Sequence, residues 1–259
     1  CGVIKTDVIR ARVYGGEATS EGSQPWFAGL LNIIYEEGEI DFDGPFCGGS
    51  LINDRFVLTA AHCVFGRTSN DTAIALNYYD RRNFKESEMV HFIDKIIVHK
   101  DYNGNPQKPK ADIGLIKLKT AVKISSSKLP ICLPSKSETK FSPLTALGWG
   151  DLFANSGIKP DKLQKVAIPQ DDNVCVQLFG IKFLLSHICV IDKTSENKKY
   201  LCRGDSGGPL IRREQNKSTI IGIASFSNCR GDYPAVFTRV SRYFDWIKNN
   251  TSDGLYCAT

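Results

Sequence analysis

The chain has 259 residues, of which 42% are hydrophobic and 24% charged, with a net charge of +5 at neutral pH. That length holds one large all-β domain or two small ones, the composition excludes a disordered chain, and apolar runs such as residues 220–224 fall far short of the roughly 20 residues a membrane-crossing helix needs. The basic residues cluster only in pairs, Arg81 with Arg82, Lys198 with Lys199 and Arg212 with Arg213, which reads as solvated surface rather than a nucleic-acid or polyanion site.

The amino end, Cys1 to Arg12, carries no apolar leader core, so any secretory signal is expected to have been removed before this point. Glycines and prolines punctuate short apolar runs along the whole chain, and no internal repeat is apparent. Residues 50–60, 113–118, 165–168 and 219–224 have strand length and β-branched or apolar content, which predicts an all-β fold with few long helices. The exception is the carboxyl end. Val240, Tyr243, Phe244 and Ile247 recur at helical spacing within residues 239–248, which predicts a docked helix followed by a polar rim at 249–253 and a stop at Gly254.

Nine cysteines without any Cys-x-x-Cys pair, and four histidines without ligand spacing, argue for disulfides in an oxidising compartment rather than a structural zinc site. Sequons starting at Asn70, Asn216, Asn249 and Asn250 agree with a secreted glycoprotein.

Cleavage of a peptide bond by a serine requires a base for the hydroxyl proton, a buried acid to orient that base, and donors for the oxyanion. Ser206 is the candidate nucleophile: Gly204-Asp205-Ser206-Gly207-Gly208-Pro209 combines a hydroxyl with glycines that admit substrate to the backbone, and the N–H groups of Gly204 and Ser206 are candidate oxyanion donors. His62 in Leu58-Thr59-Ala60-Ala61-His62-Cys63 and Asp112 in Asp112-Ile113-Gly114-Leu115-Ile116 are the candidate base and acid. Singly, each has an ordinary reading: a structural histidine, a turn cap, a glycine loop. Together, in the order His, Asp, Ser and supported by Cys47-Gly48-Gly49-Ser50 and Gly148-Trp149-Gly150, the motifs resemble those of the trypsin and chymotrypsin family of serine proteases, over residues 13 to about 248.

The resemblance implies two six-stranded antiparallel β-barrels with a C-terminal α-helix, and a catalytic triad of His62, Asp112 and Ser206. It implies bridges Cys47–Cys63, Cys175–Cys189 and Cys202–Cys229, with Cys1 joined to Cys132 as in members that keep a light chain tethered. Cys257 is left over, free or bonded to an upstream module or a second chain. Arg12-Val13-Tyr14-Gly15-Gly16 is similar to the family's zymogen cleavage site: residues 1–12 would be a propiece, 13–259 the protease domain, and the ammonium freed at Val13 would pair with Asp205 and complete the site.

A carboxylate six residues before the nucleophile would select basic side chains, but here that residue is Tyr200, followed by Leu201. With Ser225, Phe226, Ser227 and Ala235 as the other walls, the expected pocket is shallow and apolar; Asp232 is the one nearby acid that could restore basic specificity. Asp80, Glu86 and Glu88 resemble a calcium loop lacking several ligands, with a surface charge cluster as the alternative; no cofactor is required. The implied function is that of a secreted zymogen in an extracellular cascade, resembling arthropod clotting and immune proteases. Its partners would be a protein substrate, an activating trypsin-like protease and a serpin-type inhibitor, with no nucleic acid or membrane. The alternative is a noncatalytic homologue that binds a partner. An α/β-hydrolase esterase fails on motif order and on the missing strand–helix alternation.

Overall fold

In the amino-terminal half, apolar runs of strand length need a common interior. After a two-residue strand β1 (Glu17–Ala18) come β2 (Phe27–Glu36), β3 (Glu39–Leu51), β4 (Phe56–Thr59), β5 (Thr72–Leu76), β6 (Val90–Val98) and β7 (Gly114–Leu118). Strands β2 to β7 close into an antiparallel barrel in the order β2-β3-β4-β7-β6-β5, filled by fully buried residues such as Leu30, Leu58, Ile74 and Ile116. The structure is a computed structural model and describes residues 1–3, 16–105, 109–136, 144–153, 156–193 and 199–257.

The carboxyl half supplies β8 (Leu144–Gly148), β9 (Gln164–Ala167), β10 (His187–Val190), β11 (Pro209–Glu214), β12 (Lys217–Phe226) and β13 (Ala235–Arg239). These six form a second antiparallel sheet in which β1 is a seventh strand, in the order β1-β9-β8-β11-β12-β13-β10. A closed six-strand barrel, a second antiparallel sheet and a C-terminal helix make up the chymotrypsin-like all-β architecture that the motifs implied.

Local chemistry moved several boundaries. Residues 50–60 form two strands, because Asn53 Oδ1 accepts the N–H groups of Arg55 (2.9 Å) and Phe56 (2.8 Å) and turns the chain between them. A side-chain amide that satisfies backbone donors ends a strand even inside an apolar run. Besides short helices α1 (Ala61–Val64) and α2 (Glu86–Met89), an unexpected helix α3 (Asp172–Phe179) begins where Asp171 accepts the Val174 N–H at 3.1 Å and ends at Gly180, whose φ is +85°. At the carboxyl end Arg239 closes β13, a 3-10 turn covers Val240–Tyr243, and α4 runs from Phe244 to Asn250. Thr251, expected in a polar rim, is instead fully buried and donates its hydroxyl to the Ile247 carbonyl at 2.7 Å. Gly254 follows the helix without ending it; a Cβ there would lie 2.3 Å from the Asn53 side-chain nitrogen.

Four disulfides are present: Cys1–Cys132, Cys47–Cys63, Cys175–Cys189 and Cys202–Cys229. Cys257 is unpaired among the described residues. The first residues lie against the body, with Gly2 N–H donating to the Pro130 carbonyl (2.8 Å) and the Gly2 carbonyl accepting from Ser218 N–H (2.9 Å). No helix among the described residues is long and apolar enough to cross a membrane.

Candidate active site

Strands β4 and β7 are antiparallel neighbours with Thr59 opposite Gly114. That register sets the chain leaving β4 beside the chain entering β7, so His62 in α1 meets Asp112 just ahead of β7. His62 Nδ1 lies 2.8 Å from Asp112 Oδ2, and the His62 N–H donates to Oδ1 at 2.9 Å. Gly114 permits this approach, since a Cβ there would fall 2.9 Å from the Val64 side chain. With the carboxylate on Nδ1–H, Nε2 is left as the acceptor of a side chain that is 31% accessible.

The acid belongs to the barrel by sequence but is held from the second sheet. Ser225 Oγ donates to Asp112 Oδ2 at 2.6 Å, and Thr238 Oγ1 donates to the Asp112 carbonyl at 2.8 Å. Burial of Asp112, 1% exposed, pushes its pKa up, but the hydrogen bonds from the His62 ring, Ser225 and the His62 N–H hold it below the usual carboxylate range. Ser225, expected as a wall of the substrate pocket, turns its hydroxyl onto the acid.

Ser206 sits in the loop between Cys202 and β11. Gly207, at φ +75°, wedges this loop against the first barrel: a Cβ there would come 2.3 Å from Thr59 Oγ1 and 2.4 Å from the Gly48 carbonyl oxygen. The Ser206 carbonyl accepts the Gly48 N–H at 2.7 Å. Cys63 Sγ borders both partners, 3.7 Å from His62 Nε2 and 3.2 Å from the Cβ position of Gly207. Among the described residues no hydrogen bond joins Ser206 Oγ to the imidazole; such contacts often tighten only around substrate. The N–H groups of Asp205, Gly207 and Gly208 donate to carbonyls of Cys202, Ala224 and Asp205, whereas those of Gly204 and Ser206 make no backbone bond among the described residues.

Asp205 explains the Gly-Trp-Gly motif. Its carboxylate accepts Gly150 N–H (2.7 Å) and Cys202 N–H (2.8 Å), and a Cβ on Gly148 or Gly150 would lie 2.0 or 2.1 Å from a carboxylate oxygen. Desolvation pushes Asp205 up to about 6 against the pull of those two N–H groups and of nearby Lys159. Beside it lies a cavity of about 60 Å³ bordered by Gly16, Gly148, Gly150, Tyr200 and Leu201. Arg12 and Val13 lie outside the described residues.

Of the other expected pocket residues, Leu201 and Ala235 pack into the core of the second sheet with Ile168, Val190 and Phe237. Ser227 Oγ donates to the Leu201 carbonyl at 2.9 Å, and Phe226 meets the edge of Phe179. Asp232 accepts from the Asn228 side chain at 2.7 Å. Asp80 is engaged by Arg82 through Nε (2.9 Å) and Nη2 (2.7 Å), which holds it down to about 2; Glu86 and Glu88 are exposed on α2, and Glu88 pairs with Lys85. The three carboxylates therefore do not gather into one cation site. The group Cys47, His62 and Cys63 has metal-ligand proximity, but both sulfurs are committed to a disulfide. Sequence reading missed Ser225 and Thr238 as supports of the acid, because nothing local marks a hydroxyl whose partner lies more than a hundred residues away.

Comparison with known proteins agrees with this geometry. Residues 13–247 match the sequence profile of the family described as Trypsin. The chain is 31% identical over 245 residues to Trypsin-1 of Astacus astacus, an alignment covering 92% of this chain and 99% of that protein. A match over most of the chain, carried on this double-sheet scaffold, establishes that the protein belongs to the trypsin/chymotrypsin family of serine proteases.

Proposed function

We propose that the protein is a secreted serine endopeptidase, made as a zymogen and activated by cleavage after Arg12. The observation that carries this reading is the buried Asp112 carboxylate, directed at His62 through both oxygens. In it, Ser206 Oγ attacks the scissile carbonyl carbon and His62 Nε2 takes the hydroxyl proton, later delivering it to the leaving amine. Asp112 holds Nδ1–H, and the N–H groups of Gly204 and Ser206 receive the oxyanion. A chain end freed at Val13 lies three residues from Gly16, which borders the cavity beside Asp205; three residues reach roughly 10 Å, enough to bring an ammonium to a carboxylate short of charge partners. The Cys1–Cys132 bridge keeps residues 1–12 attached as a light chain, and four disulfides fit an extracellular setting.

Neither Tyr200 nor Leu201 carries the charge that would hold a basic side chain, and Asp232 is occupied by Asn228, which favours cleavage after an apolar residue such as Leu, Val or Ala. The expected partners are a zymogen substrate in an extracellular cascade, a trypsin-like activator and a serpin-type inhibitor. No cofactor is required.

The test is labelling by a serine-directed fluorophosphonate before and after treatment with a trypsin-like enzyme. Labelling should appear only after the cut, and should vanish in Ser206→Ala and in Arg12→Gln. Absence of labelling in the cut protein would turn the reading to a noncatalytic homologue. On a peptide library, preference for Arg or Lys at the cleaved position would overturn the apolar pocket.

A further inference from the structure

Lys159 reaches from the segment after β8 to the loop that carries Ser206. Its ammonium donates to the Arg203 carbonyl and pairs with Asp151 Oδ1 at 2.6 Å. The Asp151 side chain is 3% exposed and Lys159 is 25% exposed, so the pair is held in place rather than waving in solvent. The same Arg203 carbonyl also accepts the Asp151 N–H at 2.9 Å. Two donors therefore grip one carbonyl, and one of them is charged, which makes its bond roughly twice as strong as a neutral one.

The consequence follows from the planarity of the peptide. In a trans peptide the N–H points opposite to the carbonyl, so fixing the Arg203 oxygen on Asp151 and Lys159 fixes the Gly204 N–H in the opposite direction. Gly204, at φ +101°, has no side chain of its own to resist rotation of that peptide. A Cβ there would lie 2.6 Å from Lys159 Nζ, so the glycine is also what admits the ammonium to the loop. Rotating the peptide would break both grips and leave the Arg203 carbonyl facing the ligand side.

We propose that Lys159, braced by Asp151, is a positioning residue for the oxyanion hole: it clamps the Arg203 carbonyl and thereby aims the Gly204 N–H at the oxygen of the scissile carbonyl. Its catalytic consequence rests on the endopeptidase reading above, whereas its structural part does not. Lys159→Met keeps the length and apolar stem but removes the donor and charge; Lys159→Arg restores them. In the cut enzyme, Lys159→Met lowers kcat between about 10- and 100-fold with KM within twofold. It weakens binding of a peptidyl aldehyde, which needs the oxyanion hole, by the same factor. Lys159→Arg recovers most of both, and Asp151→Asn with Lys159→Met is no worse than the poorer single variant, because the two residues act as one clamp. In protein labelled with 15N-glycine, the Gly204 amide resonance shifts or broadens in Lys159→Met and returns in Lys159→Arg, while that of Gly222 stays put.

An unmoved Gly204 resonance overturns the clamp whatever the activity. So does a kcat within twofold of the parent, or a loss carried by KM alone. If the parent protein fails to label with fluorophosphonate after cleavage but Gly204 still responds to Lys159→Met, the endopeptidase reading falls and the clamp stands.

Discussion

Replacing Asp205 with Asn in uncut protein isolates the energy stored in its carboxylate. Desolvation raises its pKa from 3.8 to about 6, so the folded chain binds a proton there more tightly than the unfolded chain does. A raised acid stabilises the fold while protonated and loses that contribution as pH climbs from the unfolded to the folded value. At about 1.36 kcal/mol per unit, the loss is about 3 kcal/mol in total, of which about 2 kcal/mol falls between pH 4 and pH 7. Asn is neutral throughout and resembles the protonated acid. Stability by urea unfolding, measured at half-unit intervals on Arg12→Gln protein with and without Asp205→Asn, should therefore show the Asn variant gaining about 2 kcal/mol relative to its parent from pH 4 to pH 7. Taking the difference cancels the other titrating groups. Parallel profiles would refute the claim that this carboxylate is short of charge compensation before activation. After cleavage the same comparison should reverse, because an ammonium partner makes the ionised acid the favoured form.

Three further outcomes are expected. Ser225→Ala removes a donor to the buried acid, and kcat against a peptide substrate should fall roughly tenfold at neutral pH, equivalent to about 1.4 kcal/mol; an unchanged rate would make that hydrogen bond incidental to orientation. His91 is held down to about 4 by burial and by the adjacent Lys128, so stability present above pH 6.5 is lost as pH falls towards 4, and His91→Phe should recover about 2 kcal/mol at pH 4 relative to pH 7; an unaltered acid profile would contradict this. Thr251→Val leaves Tyr256 without its 2.6 Å partner and should cost about 1 kcal/mol in urea unfolding, while a neutral result would show that water replaces the hydroxyl.

The outline of the fold was legible because its signals are local: apolar runs of strand length between turns, and helical spacing at the carboxyl end. The strand boundary at Asn53 and the cap at Asp171 were not, since each depends on a side chain choosing a backbone partner that an apolar-pattern reading does not weigh. The site divides in the same way. His62, Asp112 and Ser206 stand out through the company of their immediate neighbours, while Ser225, Thr238 and Lys159 matter only through contacts made across the fold.

The two hydroxyls that cross from the second sheet to Asp112 tie the alignment of the imidazole to the seam between the halves of the molecule. Sliding one half by even an ångström would lengthen the 2.6 Å and 2.8 Å contacts before it disturbed any backbone ladder. A ligand or antibody that pries at that seam would loosen the hold on Asp112 before it unpicked either sheet.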